Sequence, residues 1–308
     1  MIGASLERLE PDLEEPLGDS GGLRAWPAMR RNPAFWIGGL LVAGVVLMAL
    51  LAPLLAPHDP NVQFSDGLVS SGPNIGSPLG HTSKFLLGTD QEGRDLVSRL
   101  IYGARLSLAI SVLGNLLAVC VGVIFGAAAA WRRGWVEVVI MRFTDIMLAF
   151  PALLLGLALV EIEGPSLTII IVVIGMVSWT GMCRITYGQV LSFREREWVD
   201  AARATGVGGF RIVVRHVLPH LTGPILVYGT LGIGLTVVFE GSLAYLGLGV
   251  PNPAASWGRM IHDGTVYGLQ FYWLILYPSL TLFGTVLGFN MLGDAMRDAL
   301  DPRGPVHR

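Results

Sequence analysis

The sequence predicts an all-α integral membrane protein with six transmembrane helices, and three observations lead there. Of its 308 residues, 52% are hydrophobic and only 14% charged, against roughly a quarter charged in a soluble domain of this length. Mean hydropathy is +0.59. The apolar residues gather in runs of about 20, the length that crosses a hydrocarbon core of about 30 Å as a helix.

Six such runs stand at roughly 35–56, 106–130, 138–160, 166–185, 222–247 and 272–294. Ahead of the first, residues 1–30 are polar and mixed in sign. They lack the basic start and early apolar core of a secretory signal peptide and read as a polar tail. A long loop, 57–105, follows the first run. "WRRGWVE" makes a tight connection and "EIEGPS" a short acidic one, while 186–221 and 248–271 are longer.

Basic residues orient the bundle. With the N-terminus in the cytoplasm, that side gains Arg24, Arg30, Arg31, Arg132, Arg133, the series Arg194, Arg196, Arg203, Arg211 and Arg215, and Arg297, Arg303 and Arg308. The other side keeps Lys84, Arg94, Arg99, Arg105 and Arg259, spread over two long loops. Both termini are then expected inside. A net charge of −2 gives no reason to expect nucleic acid as a partner.

In the second run Gly114, Ala118, Gly122 and Gly126 recur every four residues, a ridge that lets another helix backbone approach closely. Gly284 and Gly288 repeat the device in the sixth. Cys120 and Cys183 fall inside apolar runs and read as small buried apolar residues rather than a disulfide.

No catalytic residue is expected. A phosphate-binding loop ends in Lys-Ser or Lys-Thr, and the only lysine, Lys84, is followed by Phe85. His216 and His220 are four apart, but Pro219 stands between them and no zinc-hydrolase glutamate intervenes, so no metal site is expected. Polar groups inside spans are costly and mark candidates. Arg142 and Asp145, three apart, share a face and can pair. Glu240, Asn115 and Asn290 are the other intrusions.

One stretch between spans is amphipathic rather than apolar: "WVDAARATGVGGFRIVVRHVLP", 198–219. A helix over 192–205 is predicted, with Ser192 as N-cap, Glu195 completing a capping box and Arg196 pairing with Asp200. Gly206 ends it, and a second helix runs from Gly209 to Pro219. Arg211 and Arg215 are like charges four apart, which a partner's carboxylates or lipid phosphates would offset. From the residues alone, a protein partner and a membrane surface suit this knuckle equally.

The spacing Asp200-Ala201-Ala202, then Gly206, then Leu218-Pro219 resembles the EAA loop of ABC-importer permease subunits, with Asp200 in place of the usual Glu and His216 where Ile is common. "RNPAFWIGGLLVAGVVLMALLAPLLAPHDPN" (31–61), "LGTDQEGRDLVSRLIYGARLSL" (87–108), "SLAYLGLGVPNPAASWGRMIHDG" (242–264) and "FNMLGDAMRDALDPR" (289–303) are similar, in that order, to segments of the dipeptide/oligopeptide/nickel branch, on its DppC/OppC-like side.

The resemblance implies a type I ABC-importer permease fold with N- and C-termini cytoplasmic. A permease domain fills 31–303 between tails at 1–30 and 304–308, with an outer loop at 57–105 and a coupling loop at 186–221. It implies a bacterial or archaeal cytoplasmic (inner) membrane and a homologous permease beside this chain, the substrate path running between them. It also implies two ATPase subunits that bind ATP and Mg, and an extracytoplasmic substrate-binding protein; membrane lipid surrounds the spans and this chain needs no cofactor. Ala201, Ala202 and Gly206 would give the fit and the bend, and Asp200 and Arg203 polar contacts to the ATPase. Segments 88–105 and 252–264 would face the binding protein or shape the outer gate, although Trp257, Tyr267, Tyr272 and Trp273 also suit an aromatic belt. Cargo would be dipeptides or oligopeptides, with nickel or glutathione as alternatives; an ion-coupled carrier and a membrane enzyme are the rival classes.

Overall fold

The computed structural model describes residues 26, 27, 29–70 and 76–300. Most of the tail expected over 1–30, and the tail at 304–308, lie outside the described residues. Helix α1 (Pro33–Leu50) starts at Asn32, whose side chain accepts from the Ala34 N–H at 2.9 Å. Pro33 follows at the first helical position, where a missing N–H costs nothing.

Helix α2 (Leu96–Arg132) has 37 residues, about 55 Å at 1.5 Å per residue. That is nearly twice the hydrocarbon thickness, so its end turns stand clear of the bilayer. The loop expected to reach residue 105 therefore stops at Asp95, whose carboxylate caps α2 by accepting from the Ser98 N–H at 2.9 Å.

The third apolar run is not one helix. It forms α3 (Gly134–Ala149) and α4 (Ala152–Glu163), bent by 91°. Pro151 explains the break: it has no N–H to donate and forces Phe150 to an extended backbone, ψ 137°. Five helices are long and apolar enough to cross a membrane, or six with the bent pair taken as one.

Helix α5 (Leu167–Arg194), capped by Ser166, runs nine residues past the end expected at 185. The connection placed at 186–221 thus begins at Glu195. It contains α6 (Glu197–Ala204) and α7 (Gly209–Ile212), then a π turn over Val213–Val217 and a last turn, Leu218–His220. Helix α8 (Thr222–Leu243) follows and ends in a second π turn, Ala244–Leu248. The last connection holds a short helix, α9 (Trp257–Thr265), before α10 (Trp273–Leu300).

Helices α2 and α5 form the centre, and the small-residue ridge is where they meet. A Cβ on Gly114 would stand 2.7 Å from the Ile174 side chain, and one on Gly122 2.7 Å from the Trp179 carbonyl. The second expected ridge is half realised. Gly288 faces α1, where its carbonyl would lie 2.8 Å from a Cβ on Gly38, whereas Gly284 faces open space. Cys183 is buried in the centre but Cys120 is exposed, and both are free thiols.

Two apolar clusters mark the ends of α2. Leu100, Ala104 and Leu108 pack with Val237, Trp257, Leu274 and Phe289 near its start. Near its end, Ala127 and Ala130 pack with Val190, Val199, Ile212, Val213, Val217 and Leu221. This second cluster seats the amphipathic stretch on the bundle.

Candidate functional site

The stretch 195–221 folds as a knuckle of two short arms at the arginine-rich end of the bundle. The first arm, α6, does not start where the capping residues suggest. Ser192 lies inside α5, Arg196 is the N-cap of α6 and makes no side-chain cap bond, and α5 and α6 are separate helices. Packing of Val190 in the apolar cluster holds α5 helical through this region, so tertiary contact overrides the local cap signal.

Asp200 does not pair with Arg196. It accepts from Arg203 Nη1 at 2.9 Å, and the Arg203 guanidinium lies 5.2 Å from the centre of the Trp131 ring at the end of α2. Arg194 Nη1 donates to the Ala130 carbonyl at 3.1 Å. Arg203 thereby ties the first arm, and Arg194 the end of α5, to the end of α2.

Gly206 occupies the position expected of it, with φ +80°. Its N–H donates to Arg203 O at 2.9 Å, and the Val207 N–H to Ala202 O at 3.2 Å. This pair of bonds closes a helix end through a left-handed residue, for which glycine pays no Cβ penalty.

The second arm is not broken by Pro219. The Leu218 N–H reaches back to the Val213 carbonyl, the wider spacing of a π turn, which absorbs the bond that proline cannot make. Pro219 is exposed within this helical path and Leu218 packs on the apolar cluster. His220 Nδ1 lies 2.7 Å from the His216 carbonyl, and its ring stacks on Trp198, centroids 5.6 Å apart at 20°.

Burial sorts the faces. Ala202 packs inward on the cluster, whereas Ala201 is exposed beside Asp200. Phe210, 82% exposed, stands at the start of the second arm with Arg211 and Arg215. The sequence reading missed Phe210. Its signal was an aromatic residue out of phase with the stripe Ile212, Val213, Val217.

The polar residues within the spans form no single cluster. Asp145 takes its shorter contact from a helix the sequence reading did not consider: Arg184 Nη2 on α5 donates to Asp145 Oδ1 at 2.6 Å, while Arg142 stands 3.8 Å away. Asn115 on α2 donates to Gly229 O at 2.8 Å. Asn290 is half-buried against Gly234 of α8. Glu240 on α8 is fully buried. Asn115, Val119 and Thr180 also line a groove of about 520 Å³ with Tyr228, Leu231 and Thr236.

At the opposite end, segments 88–105 and 252–264 hold each other. Asp90 accepts from Arg94 Nε at 2.6 Å and Arg99 Nε at 3.1 Å, all three nearly inaccessible. Arg99 Nη1 reaches the carbonyls of Pro60 at 3.2 Å and Pro253 at 3.4 Å. Trp257 is no belt residue: it is completely buried and its Nε1 donates to Leu100 O at 3.1 Å.

Known proteins are similar to this chain in sequence. The family described as the binding-protein-dependent transport system inner membrane component matches residues 119–304. The N-terminal TM domain of oligopeptide transport permease C matches 22–73. The di/tripeptide transport system permease protein DppC of Pseudomonas aeruginosa is 38% identical over 278 residues, 90% of this chain and 91% of that protein. The glutathione transport system permease protein GsiD of Pectobacterium atrosepticum is 33% identical, covering 90% of each. The oligopeptide transport system permease protein OppC of Haemophilus influenzae is 33% identical over 89% of this chain and 86% of its own length. These matches cover nearly all of the spans and the whole knuckle, and the chain belongs to the inner membrane permease components of binding-protein-dependent ABC importers.

Proposed function

We propose that this chain forms one half of the path of an ATP-driven importer for short peptides, with a homologous permease as the other half. Two ATPase subunits dock on the cytoplasmic side, and an extracytoplasmic binding protein delivers cargo to the opposite end. The arginine-rich end of the bundle then faces the cytoplasm, as the distribution of basic residues favours. Relatives named for dipeptides and oligopeptides support the cargo; the relative named for glutathione makes that tripeptide-sized thiol the second reading.

The observation that carries the coupling role is the knuckle itself. Its apolar stripe is sunk into the bundle, so its two arms cannot shift without moving the ends of α2, α5 and α8. Its other face offers Asp200, Ala201, Phe210, Arg211 and Pro219 to whatever lies below. An exposed aromatic such as Phe210 is the kind of residue that anchors in a groove on another protein. ATP-driven closure of the ATPases would pull on that anchor and switch which end of the path is open.

Gentle extraction from the native membrane followed by mass spectrometry tests the assembly. A second permease and P-loop ATPases should co-purify. A chain that emerges alone under every mild condition would contradict the reading. Titration of the binding protein that works with this permease with dipeptides, glutathione and nickel then separates the cargoes; binding of nickel alone would overturn the peptide assignment.

A further inference from the structure

The groove of about 520 Å³ opens halfway along the spans and is lined mainly by α2, α5 and α8. That volume falls within the roughly 300–1,000 Å³ of clefts that hold small ligands. Its lining is mixed. Leu235 of α8, 71% exposed, and Phe239 are apolar, while Ser178 and Thr180 of α5 and Tyr228 of α8 bring hydroxyls. Among the described residues no acidic, basic or histidine side chain lines it.

The hydroxyls set this surface apart. At several other places in the spans a hydroxyl bonds back onto its own helix. Thr144 donates to the Ile140 carbonyl at 2.8 Å, Thr230 to Leu226 O at 2.8 Å, Ser242 to Val238 O at 2.7 Å and Thr281 to Tyr277 O at 2.8 Å. Ser178, Thr180 and Tyr228, on the groove wall, make no hydrogen bond among the described residues. Ser111 and Thr186 are unpartnered too, but their oxygens are sealed in helix packing. Hydrocarbon offers an unpaired hydroxyl nothing, so the open wall suits water and polar cargo rather than acyl chains.

Within the importer reading, on which this rests, we propose that the groove is the face the chain turns to its cargo. Ser178, Thr180 and Tyr228 hydrogen-bond the main chain of a short peptide in passage. A hydroxyl both donates and accepts, so it pairs with either the N–H or the C=O that every peptide repeats. With no charge in the wall, side-chain charge goes unread. Nothing there holds the charged ends of a peptide tightly enough to trap it, and passage requires that cargo leave as readily as it enters. A bare metal ion is the wrong guest, since the lining offers no carboxylate, imidazole or thiolate.

The test has two arms, both with the full chain in its assembled complex. In a Cys120→Ala, Cys183→Ala background, Ser178→Cys and Gly181→Cys should react with a charged, water-soluble thiol reagent in native membranes. Nothing lies within 4 Å of the place a Cβ would take at Gly181, so that variant keeps the arm open if Ser178→Cys does not fold. Leu40→Cys on α1, at a 76% exposed position, should react at least tenfold more slowly. In proteoliposomes at saturating loaded binding protein, wild type should import Ala-Ala several-fold faster than its ester analogue, which lacks the amide N–H. The triple variant Ser178→Ala, Thr180→Val, Tyr228→Phe should import the two within about twofold of each other. Groove cysteines as unreactive as Leu40→Cys would mean that lipid or a partner helix covers the groove, and would overturn the proposal. An amide preference that survives loss of the three hydroxyls would overturn it as well. Labelling needs neither nucleotide nor cargo, so failure of the groove is told apart from failure of the importer reading, which uptake without ATP dependence would reveal.

Discussion

The ring of Trp198 on the first arm of the knuckle stacks on the ring of His220 at the end of the second, 5.6 Å between centroids and 20° between planes. This contact closes the knuckle across 22 residues of chain and makes two short helices one body. Helices of eight and four residues are too short to persist on their own, so the stack and the cluster beneath it supply the stiffness. Replacing Trp198 by Ala removes an aromatic pair worth about 0.5–1.5 kcal/mol beyond its buried area. Peptide imported per ATP hydrolysed in proteoliposomes should fall about fivefold while the chain still inserts and assembles. An unchanged ratio would show that the stack is incidental to coupling.

Gly206 tests the bend separately. Nothing lies within 4 Å of the place a Cβ would take, so any effect of substitution is a backbone effect. A left-handed residue with a Cβ costs about 1–2 kcal/mol, and a β-branched one tolerates positive φ least of all. Gly206→Val should therefore lower import per ATP several-fold, whereas Gly206→Asn, which visits this region more readily, should stay within about twofold. Equal ratios in the two variants would remove φ from the explanation.

The α2–α5 seam makes a paired prediction about stability. In Gly122→Ala the new methyl meets the Met182 Cβ and the Trp179 carbonyl at 2.7 Å, an overpacking of about 1–3 kcal/mol. Gly284→Ala meets nothing. Melting in detergent should drop by several degrees in the first variant and hold or rise slightly in the second. A seam that tolerated Gly122→Ala without loss would mean that α2 and α5 stand farther apart than described.

Asp145 offers a choice between two arginines. Arg184 and Asp145 are about half exposed and Arg142 is more exposed still, so the pairing is worth no more than about 1 kcal/mol. A double-mutant cycle should assign that coupling to Arg184 and almost none to Arg142. The reverse assignment would restore the local i,i+3 pairing.

That last case shows what the sequence could and could not disclose. Arg142 was visible because it is three residues from Asp145 on one helix; Arg184 is 39 residues away and becomes a neighbour only through the packing of α3 on α5. Spans were legible because hydrocarbon thickness imposes their length, and the Gly114–Gly126 ridge because period four is a property of one helix. Gly206 was legible because positive φ is a local demand. Ser192 misled because a cap signal competes with the continuation of α5, and burial of Val190 decided for continuation. Pro219 misled because a π turn supplies a path through proline that spacing alone does not reveal. The kink at Pro151 was written in the sequence as a Phe-Pro step, but the apolar run continues across it and hides the break. Trp257 shows the same limit, since an aromatic near a span end suits a lipid interface until a partner carbonyl, Leu100 O, takes its N–H.

Coupling through the knuckle requires its exposed face to be the ATPase contact. A photo-crosslinking residue placed at Phe210, and separately at Ala201, in the chain within its native membrane tests this directly. Both positions should capture a P-loop ATPase, and capture at one or both should change when nucleotide is added. Adducts with lipid alone at both positions, with a transport-competent complex present, would contradict it and leave the knuckle as a helix pair lying on the membrane surface.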